Sequence, residues 1–349
     1  MHGGASFSSK DSNGLIQKGV MDFSTCCNPY GPPKAVYRAL RSIDAEHYPD
    51  PDCNQLTQML GQKCGVRPAN LIIGSGSTEL IRLAANAYSG PGDMVIIPCP
   101  TYGEYELASK IANAQIVRYQ IKEKNGFKLA CGEFIKYAKL HNPAIIFLCN
   151  PNNPTGQYLG LHDVERILNS FPDTLVVLDE AYIAFTEGAW NSHNLLARDN
   201  LFIVRSMTKD YAIAGLRLGY GMASETIIAN LKKVRPPWNV NSAAQEAGLA
   251  ALSYDDYTAQ CADRIRTSKT YLIKELTGMG YNCVPTHTNF FMFKTGNACR
   301  FQKQMLAKGI LVRDCTSFGL PEYVRIAPLG ITLCHKFIRS VKEIKAGNT

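Results

Sequence analysis

An α/β fold, with a mostly parallel sheet covered by helices, is predicted by three observations. Short apolar runs begin near residues 71, 94, 116, 145, 175 and 201, stretches of helical period separate them, and several end in Gly, Ser, Asn, Pro or Asp. This alternation points to a large domain over 36–240. A smaller C-terminal α/β domain over 241–349, with an N-terminal arm over 1–35 packed on it, completes the expected architecture.

In chain order, the arm carries MDFSTCCNPYGPP (21–33), whose first residues have strand character. In LIIGSGSTELIRLAANAY (71–88) a strand opens through a Gly/Ser turn into an apolar-periodic helix. The backbone N–H groups of Gly76, Ser77 and Thr78 are then expected to face an anion at the helix N-terminus, where the dipole favours negative charge. A plain cap is the simpler role for Thr78. AIIFLCNPNNPTG (144–156) is a strand running into an Asn/Pro/Gly turn that carries Asn153. LVVLDEAY (175–182) is an apolar run ending in Asp179, so that acid stands at the rim of the sheet; taken alone a helix cap after the strand is the commoner role, and a lysine in the right loop downstream makes a pyridinium partner the better reading. The apolar run at 200–204 reads as a buried parallel strand, placing Lys209 just past a carboxyl end, where open α/β sheets put their ligands. PPWNVNSAAQEAGLAAL (236–252) starts a long helical region, and THTNFFMFKTG (286–296) and GILVRDC (309–315) supply strands of the smaller domain.

The residues at these strand ends suit one kind of cofactor. A lone Lys beside Ser and Thr is usually a solvated surface residue. Here Ser206, Thr208 and Arg217 surround Lys209 with two hydroxyls and a guanidinium, and Gly215 and Gly219 suit the close backbone approach of an anion-binding turn. Asp179 lies thirty residues upstream, with Tyr182 three residues after it. An amine for an aldehyde, a carboxylate for a pyridine nitrogen, donors for a phenolate oxygen and a phosphate cradle are what pyridoxal 5′-phosphate requires. Asn153 and Tyr182 are the candidate donors to the phenolate oxygen.

Read in order, YPDPDCNQL, GSGSTELI, PTYGEY, NPNNPTG, DEAYIAF, SMTKDYAIAGLRLGY and PPWNVNSAAQ resemble the aspartate aminotransferase superfamily of fold type I pyridoxal phosphate enzymes. The similarity runs from about residue 20 to residue 326, and the branch it resembles holds histidinol-phosphate aminotransferases and threonine-phosphate decarboxylases. The resemblance implies that Lys209 bonds to the cofactor aldehyde, that Asp179 partners the pyridine nitrogen, and that Tyr102 stacks on the ring. It implies phosphate contacts from Ser77, Thr78, Ser206 and Arg217. It also implies that Tyr48 reaches the phosphate of a neighbouring subunit, hence a homodimer with shared active sites. Arg325 in YVRIAP matches the arginine that forks onto a substrate carboxylate. His2, Asn28, Tyr30, Asn153, Trp238 and Arg313 are the further candidates around the substrate.

Within that branch, MHGG at 1–4, DFS at 22–24, Thr208, Tyr211, Ile213, Trp238 and the Arg313-Asp314-Cys315 triplet lean toward the decarboxylases. The expected reaction is decarboxylation of L-threonine O-3-phosphate to (R)-1-aminopropan-2-yl phosphate, a cobalamin precursor. Transamination of histidinol phosphate or an aromatic amino acid with 2-oxoglutarate is the alternative. Pro328 and Leu329 stand where decarboxylases commonly carry a second arginine, and Asp210 is an unusual acid beside a phosphate site. A cofactor-binding regulator without turnover is disfavoured because no DNA-binding extension is visible and the catalytic positions are filled.

Composition adds boundaries. The 349 residues give room for about two domains, and 46% hydrophobic content supports a large core. No run of 18 apolar residues suggests a membrane span, and HGGASFSSKDSNG lacks the apolar segment of a secretory signal. Twelve scattered cysteines without a CxxC pair fit a reduced, cytoplasmic chain with buried thiols and no metal site; Cys315, near Arg325, is the one thiol to test for reactivity. The net charge of +8 comes from dispersed Lys and Arg, the densest stretch being LKKVRPP (231–237), without the interleaved aromatics of a nucleic-acid surface.

Overall fold

The computed structural model describes residues 19–254 and 256–347. Its strands are β1 (Met21–Asp22), β2 (Leu71–Gly74), β3 (Met94–Cys99), β4 (Gln115–Gln120), β5 (Ile145–Cys149), β6 (Leu175–Asp179), β7 (Leu201–Ser206), β8 (Gly219–Ala223), β9 (Phe291–Lys294), β10 (Ile310–Leu311), β11 (Arg313–Asp314) and β12 (Tyr323–Ile326). The principal sheet has the order β2-β8-β7-β6-β5-β3-β4. From β4 to β7 its pairings are parallel, whereas β8 runs antiparallel to both β7 and β2.

Side chains alternate across this sheet, which explains why β5, β6 and β7 are apolar at nearly every position. Ile145, Phe147, Leu175, Val177, Phe202 and Val204 enter the core beneath helix Ser77–Tyr88, while Ile146, Leu148, Val176, Leu178, Leu201 and Ile203 enter the opposite core. The second core is covered in part by helices Cys131–Lys139 and Leu161–Ser170. Burying one such side chain stabilises the fold by roughly 1.5–3 kcal/mol relative to exposure. Two cores therefore fix the strands so that the carboxyl ends of β5, β6 and β7 reach the same rim.

Strand β8 was hidden in the sequence because Gly219 and Gly221 lower its strand propensity. Gly219 is not part of an anion-binding turn, as its spacing from Lys209 suggested. It is a strand residue at which a Cβ would lie 2.7 Å from the Ser77 amide nitrogen and 2.8 Å from the Arg205 carbonyl. Gly215, in the 3-10 turn Ala214–Leu216, has open space where a side chain would stand, so no close approach requires it.

The predicted smaller strands also form. β11, β12 and β9 make an antiparallel sheet, but GILVRDC divides into two short strands, since β10 turns away to pair in parallel with β1. Phe23, fully buried, packs 4.8 Å from the Phe337 ring of helix Ile331–Ala346. The helical region after Pro236 starts at Ser242, with the Asn241 side chain accepting from the Ala244 N–H at 2.8 Å, and continues in helix Tyr257–Gly278. Among the described residues, no helix is long and apolar enough to cross a membrane, and all twelve cysteines are free thiols.

Candidate active site

Lys209 follows β7 within the short helix Met207–Asp210 and lines a cavity with Ser77, Thr78, Tyr102, Asn153, Asp179, Tyr182 and Arg217. Segments distant in sequence thus meet at one cavity. Ser206 and Thr208 lie beside one another, their hydroxyls 2.6 Å apart. The peptide at Asn28 holds the lysine turn. Its N–H donates to the Lys209 carbonyl at 2.7 Å, its side-chain amide donates to the Asp210 carbonyl at 2.9 Å, and its side-chain oxygen accepts from the Tyr30 N–H. Asn28 was a substrate candidate; these bonds make it a brace for Lys209.

Asp179 ends β6, 2% exposed, and makes no ion pair among the described residues. Its Oδ2 accepts from the Tyr105 hydroxyl at 2.7 Å and its Oδ1 from the Ala181 N–H at 3.0 Å, so it caps no helix. Burial pushes its carboxyl up to about 6, against those two hydrogen bonds. Tyr105 escaped the sequence reading, although it ends the PTYGEY motif. It is fully buried, and its ring stacks on Phe147 at 5.0 Å. Its signal, a tyrosine three residues past the stacking candidate on helix Glu104–Ile111, acquires meaning only once that helix lies over β5 and β6.

The phosphate cradle differs from expectation in one donor. Gly76 caps helix Ser77–Tyr88 at φ 78°, but its N–H donates to the Gly74 carbonyl at 2.7 Å, leaving Ser77 and Thr78 as the first N–H groups of the helix. Thr78 is no side-chain cap; its hydroxyl is 3.3 Å from that of Tyr102. The bare Cα of Gly76 admits Arg217, since a Cβ there would sit 2.8 Å from the guanidinium. A buried carboxylate lacking a cation, a reachable amine, and a guanidinium beside a helix N-terminus and two hydroxyls fit pyridoxal 5′-phosphate part by part.

A second cavity adjoins the first and shares Lys209, Tyr102, Asn153 and Tyr182 with it, adding Thr25, Cys26, Ser317, Phe318 and Arg325. Arg325 is 4% exposed; it donates to the Asn153 side-chain oxygen and, at 2.7 Å, to the Ser24 carbonyl. That leaves the Asn153 amide nitrogen to donate elsewhere. Arg313 stands directly opposite Arg325 across β11 and β12, with Ser317 accepting from it at 2.6 Å and Phe318 5.2 Å below its guanidinium. Tyr182 packs edge-on against Phe290 at 4.9 Å. The remaining candidates lie apart: the Tyr30 ring is covered by Arg264 at 3.7 Å, and Tyr48 stacks on Trp238 at 4.6 Å on the exposed surface. His2 falls outside the described residues.

Packing also decides two further candidates. Cys315 is wholly buried among Phe127, Val284, Met292 and Tyr323, and its thiol is pushed up to about 12 by burial, so it is inert rather than reactive. Asp210 lines neither cavity, and burial pushes its carboxyl up to about 7.

A family model described as aminotransferase class I and II matches residues 18–339. A histidinol-phosphate aminotransferase of Moorella thermoacetica is 33% identical over 94% of this chain and 86% of its own. Further relatives of that name are 31–34% identical. Among solved structures, the L-threonine-O-3-phosphate decarboxylase of Porphyromonas gingivalis superposes with TM-score 0.81 at 30% identity, covering 93% of this chain and 99% of its own. A histidinol-phosphate aminotransferase of Sinorhizobium meliloti, solved with pyridoxal-5′-phosphate, gives TM-score 0.85 at 22% identity, covering 93% and 90%. The decarboxylase expectation is overturned by the curated relatives, which carry the aminotransferase name. Local turns and core packing account for residues that had suggested it. Asp22 of DFS accepts from the Ser24 N–H and hydroxyl in a local turn, and Tyr211 and Ile213 are core residues. Leu329, where a second arginine was expected, packs against the C-terminal core. Sheet order, the lysine and carboxylate at adjacent strand ends, and similarity over nearly the whole chain agree: this is a pyridoxal 5′-phosphate protein that belongs to the aminotransferase class I and II family.

Proposed function

We propose that this chain is an aminotransferase that moves the amino group of histidinol phosphate to 2-oxoglutarate. The observation that carries it is the pair Arg313 and Arg325, directly opposite on adjacent strands and both over 90% buried, with Arg325 lining the cavity that holds Lys209. Two like charges in that position repel, and burial disfavours both, so an oxyanion between them is stabilising. A transaminase binds its donor and its acceptor in turn at one site. The phosphate of one and the distal carboxylate of the other share the chemistry that this pair recognises. The names of the relatives support the identity of the donor.

The bound cofactor supplies an aldehyde that captures the amine and a ring that accepts the electrons released at the adjoining carbon. The protein supplies the rest. Asp179, held by Tyr105 and Ala181, would keep a proton on the pyridine nitrogen; Asn153 and Tyr182 would serve the phenolate oxygen, and Tyr102 the ring. Ser77, Thr78, Ser206 and Arg217 would hold the phosphate. Lys209 Nζ would take the proton from the amine-bearing carbon of the donor and, in the second half of the exchange, would deliver a proton to the former carbonyl carbon of the acceptor. Tyr48, 80% exposed, would complete the phosphate site of a second copy in a homodimer.

The test is glutamate formation from histidinol phosphate and 2-oxoglutarate by the cofactor-loaded protein. Formation that disappears in Lys209→Ala, together with the long-wavelength cofactor absorbance, is expected. Absence of glutamate with histidinol phosphate while an aromatic amino acid supports it would replace the donor.

A further inference from the structure

A cavity of about 240 Å³, larger than the 170 Å³ beside Arg325, lies on the far side of the wall formed by Thr101, Cys149 and Asn152. Its floor is apolar, built from Ile121, Phe127, Leu129, Phe147 and Leu159. Beside the wall residues and Gln157, its polar groups are Lys128, Tyr158, His287 and Asp163. Asp163 is 3.6 Å from Arg166, whereas the exposed Lys128 ammonium has no partner among the described residues. The net unmet charge is therefore positive. We infer that this cavity is a second ligand site, separate from the catalytic one, and that it takes a small aromatic monocarboxylate. The ring would lie on the apolar floor and the carboxylate would meet Lys128; His287 and Tyr158, whose rings are 6.2 Å apart, line the same cavity.

The position gives such a ligand a means of acting on the active site. The Thr101 hydroxyl donates to the Asn152 side chain at 2.6 Å, and Asn152 donates to the Pro100 carbonyl and the Thr155 hydroxyl, each at 2.9 Å. These bonds tie together the turns that carry Tyr102 and Asn153, the neighbours of Thr101 and Asn152. The same wall reaches the segment before β9: Gln157 donates to the Pro285 carbonyl at 2.6 Å, and the His287 N–H donates to the Gly156 carbonyl at 3.0 Å. A molecule resting there touches both turns of the cofactor site and His287, in the segment that leads into β9, the strand that pairs with β12 and so with Arg325.

The inference is independent of which amine the enzyme consumes and is tested by binding. Phenylacetate is titrated calorimetrically into cofactor-loaded protein, into Lys128→Met and into Arg325→Gln. The expected result is binding at one site per chain that survives Arg325→Gln and weakens about tenfold or more in Lys128→Met, the loss of one charge-assisted contact. Lys128 is exposed, so its replacement leaves folding and basal transamination unchanged. As a second probe, Leu129→Trp fills the floor and should also remove binding. No binding at millimolar phenylacetate overturns the inference, as does loss in Arg325→Gln or undiminished binding in Lys128→Met.

Discussion

Asp179→Asn separates what the carboxylate does for the cofactor from what it costs the protein without one. In the cofactor-free protein this carboxyl titrates at about 6, against an unfolded value near 3.8. The folded form therefore holds a proton that the unfolded form has released between about pH 4 and pH 6, and stability falls as pH rises through that window. Two units correspond to about 3 kcal/mol, reached above pH 7 and shrinking to about 1 kcal/mol at pH 4.5. Asparagine keeps the shape, accepts from Ala181 and donates to the Tyr105 oxygen, but has no charge to bury. Urea unfolding of the cofactor-free proteins should show the variant ahead of the wild type by about 3 kcal/mol at pH 8 and by about 1 kcal/mol at pH 4.5. With pyridoxal 5′-phosphate the order should reverse, because the pyridinium gives Asp179 the cation it lacks and gives asparagine nothing. An offset that is the same at both pH values, or a cofactor-free wild type more stable than the variant at pH 8, would refute the reasoning.

Arg325→Lys should leave cofactor absorbance intact while lowering kcat/KM by roughly 30- to 160-fold, the loss of about 2–3 kcal/mol from a forked, charge-assisted contact, read by steady-state kinetics with each substrate. Gly219→Ala places a methyl group against the Ser77 amide and the Arg205 carbonyl, and should destabilise the fold by about 1–3 kcal/mol and weaken cofactor binding, measured by denaturation and by equilibrium dialysis. Tyr48→Ala removes an exposed ring stacked on Trp238 and should weaken retention of the cofactor if a second subunit uses that ring; unchanged retention in a protein that sediments as a dimer would remove Tyr48 from the shared site. Arg205→Met leaves Glu180 buried without its cation and should cost about 3–5 kcal/mol in thermal or urea unfolding.

What the sequence disclosed about this site follows from how its parts are encoded. Lys209, Asp179 and Asn153 were legible because each follows an apolar run too continuous for a half-exposed strand, and a buried strand of an α/β sheet has a rim. The Gly76 turn was legible for the same reason. Tyr105, the Arg313 and Arg325 pair and the bracing role of Asn28 were not. Tyr105 acts through a helix laid across two strands that lie well downstream of it in sequence. The arginines meet only through the register of β11 with β12, and Asn28 acts through the Lys209 turn at the far end of the principal sheet's sequence. The reaction was the least legible, since an anion-binding pair of arginines, a lysine and a pyridinium partner serve transamination and decarboxylation alike. Tyr211 and Ile213, read as marks of one branch, are core packing.

The sheet also sorts its charges by face. Asp179 and Ser206 end β6 and β7 on the cofactor side, and their neighbours Glu180 and Arg205 project to the opposite side by strand alternation. Behind the site, Glu180 and Arg205 pair at 2.9 Å and share Ser192, which donates to Glu180 at 2.9 Å. In front, Asp179 meets only neutral donors and Arg325 only neutral carbonyl oxygens. A buried charge lacking a counter-charge costs several kcal/mol, and the fold accepts that cost at Asp179 and Arg325, the positions to which the proposed function assigns the cofactor's pyridinium and the substrate's anion. The paired charges behind hold the strand ends, and the uncompensated ones in front are, in the proposed function, completed by ligands. Filling the front of the site should therefore stabilise this protein more than the contact area of the ligands alone would suggest.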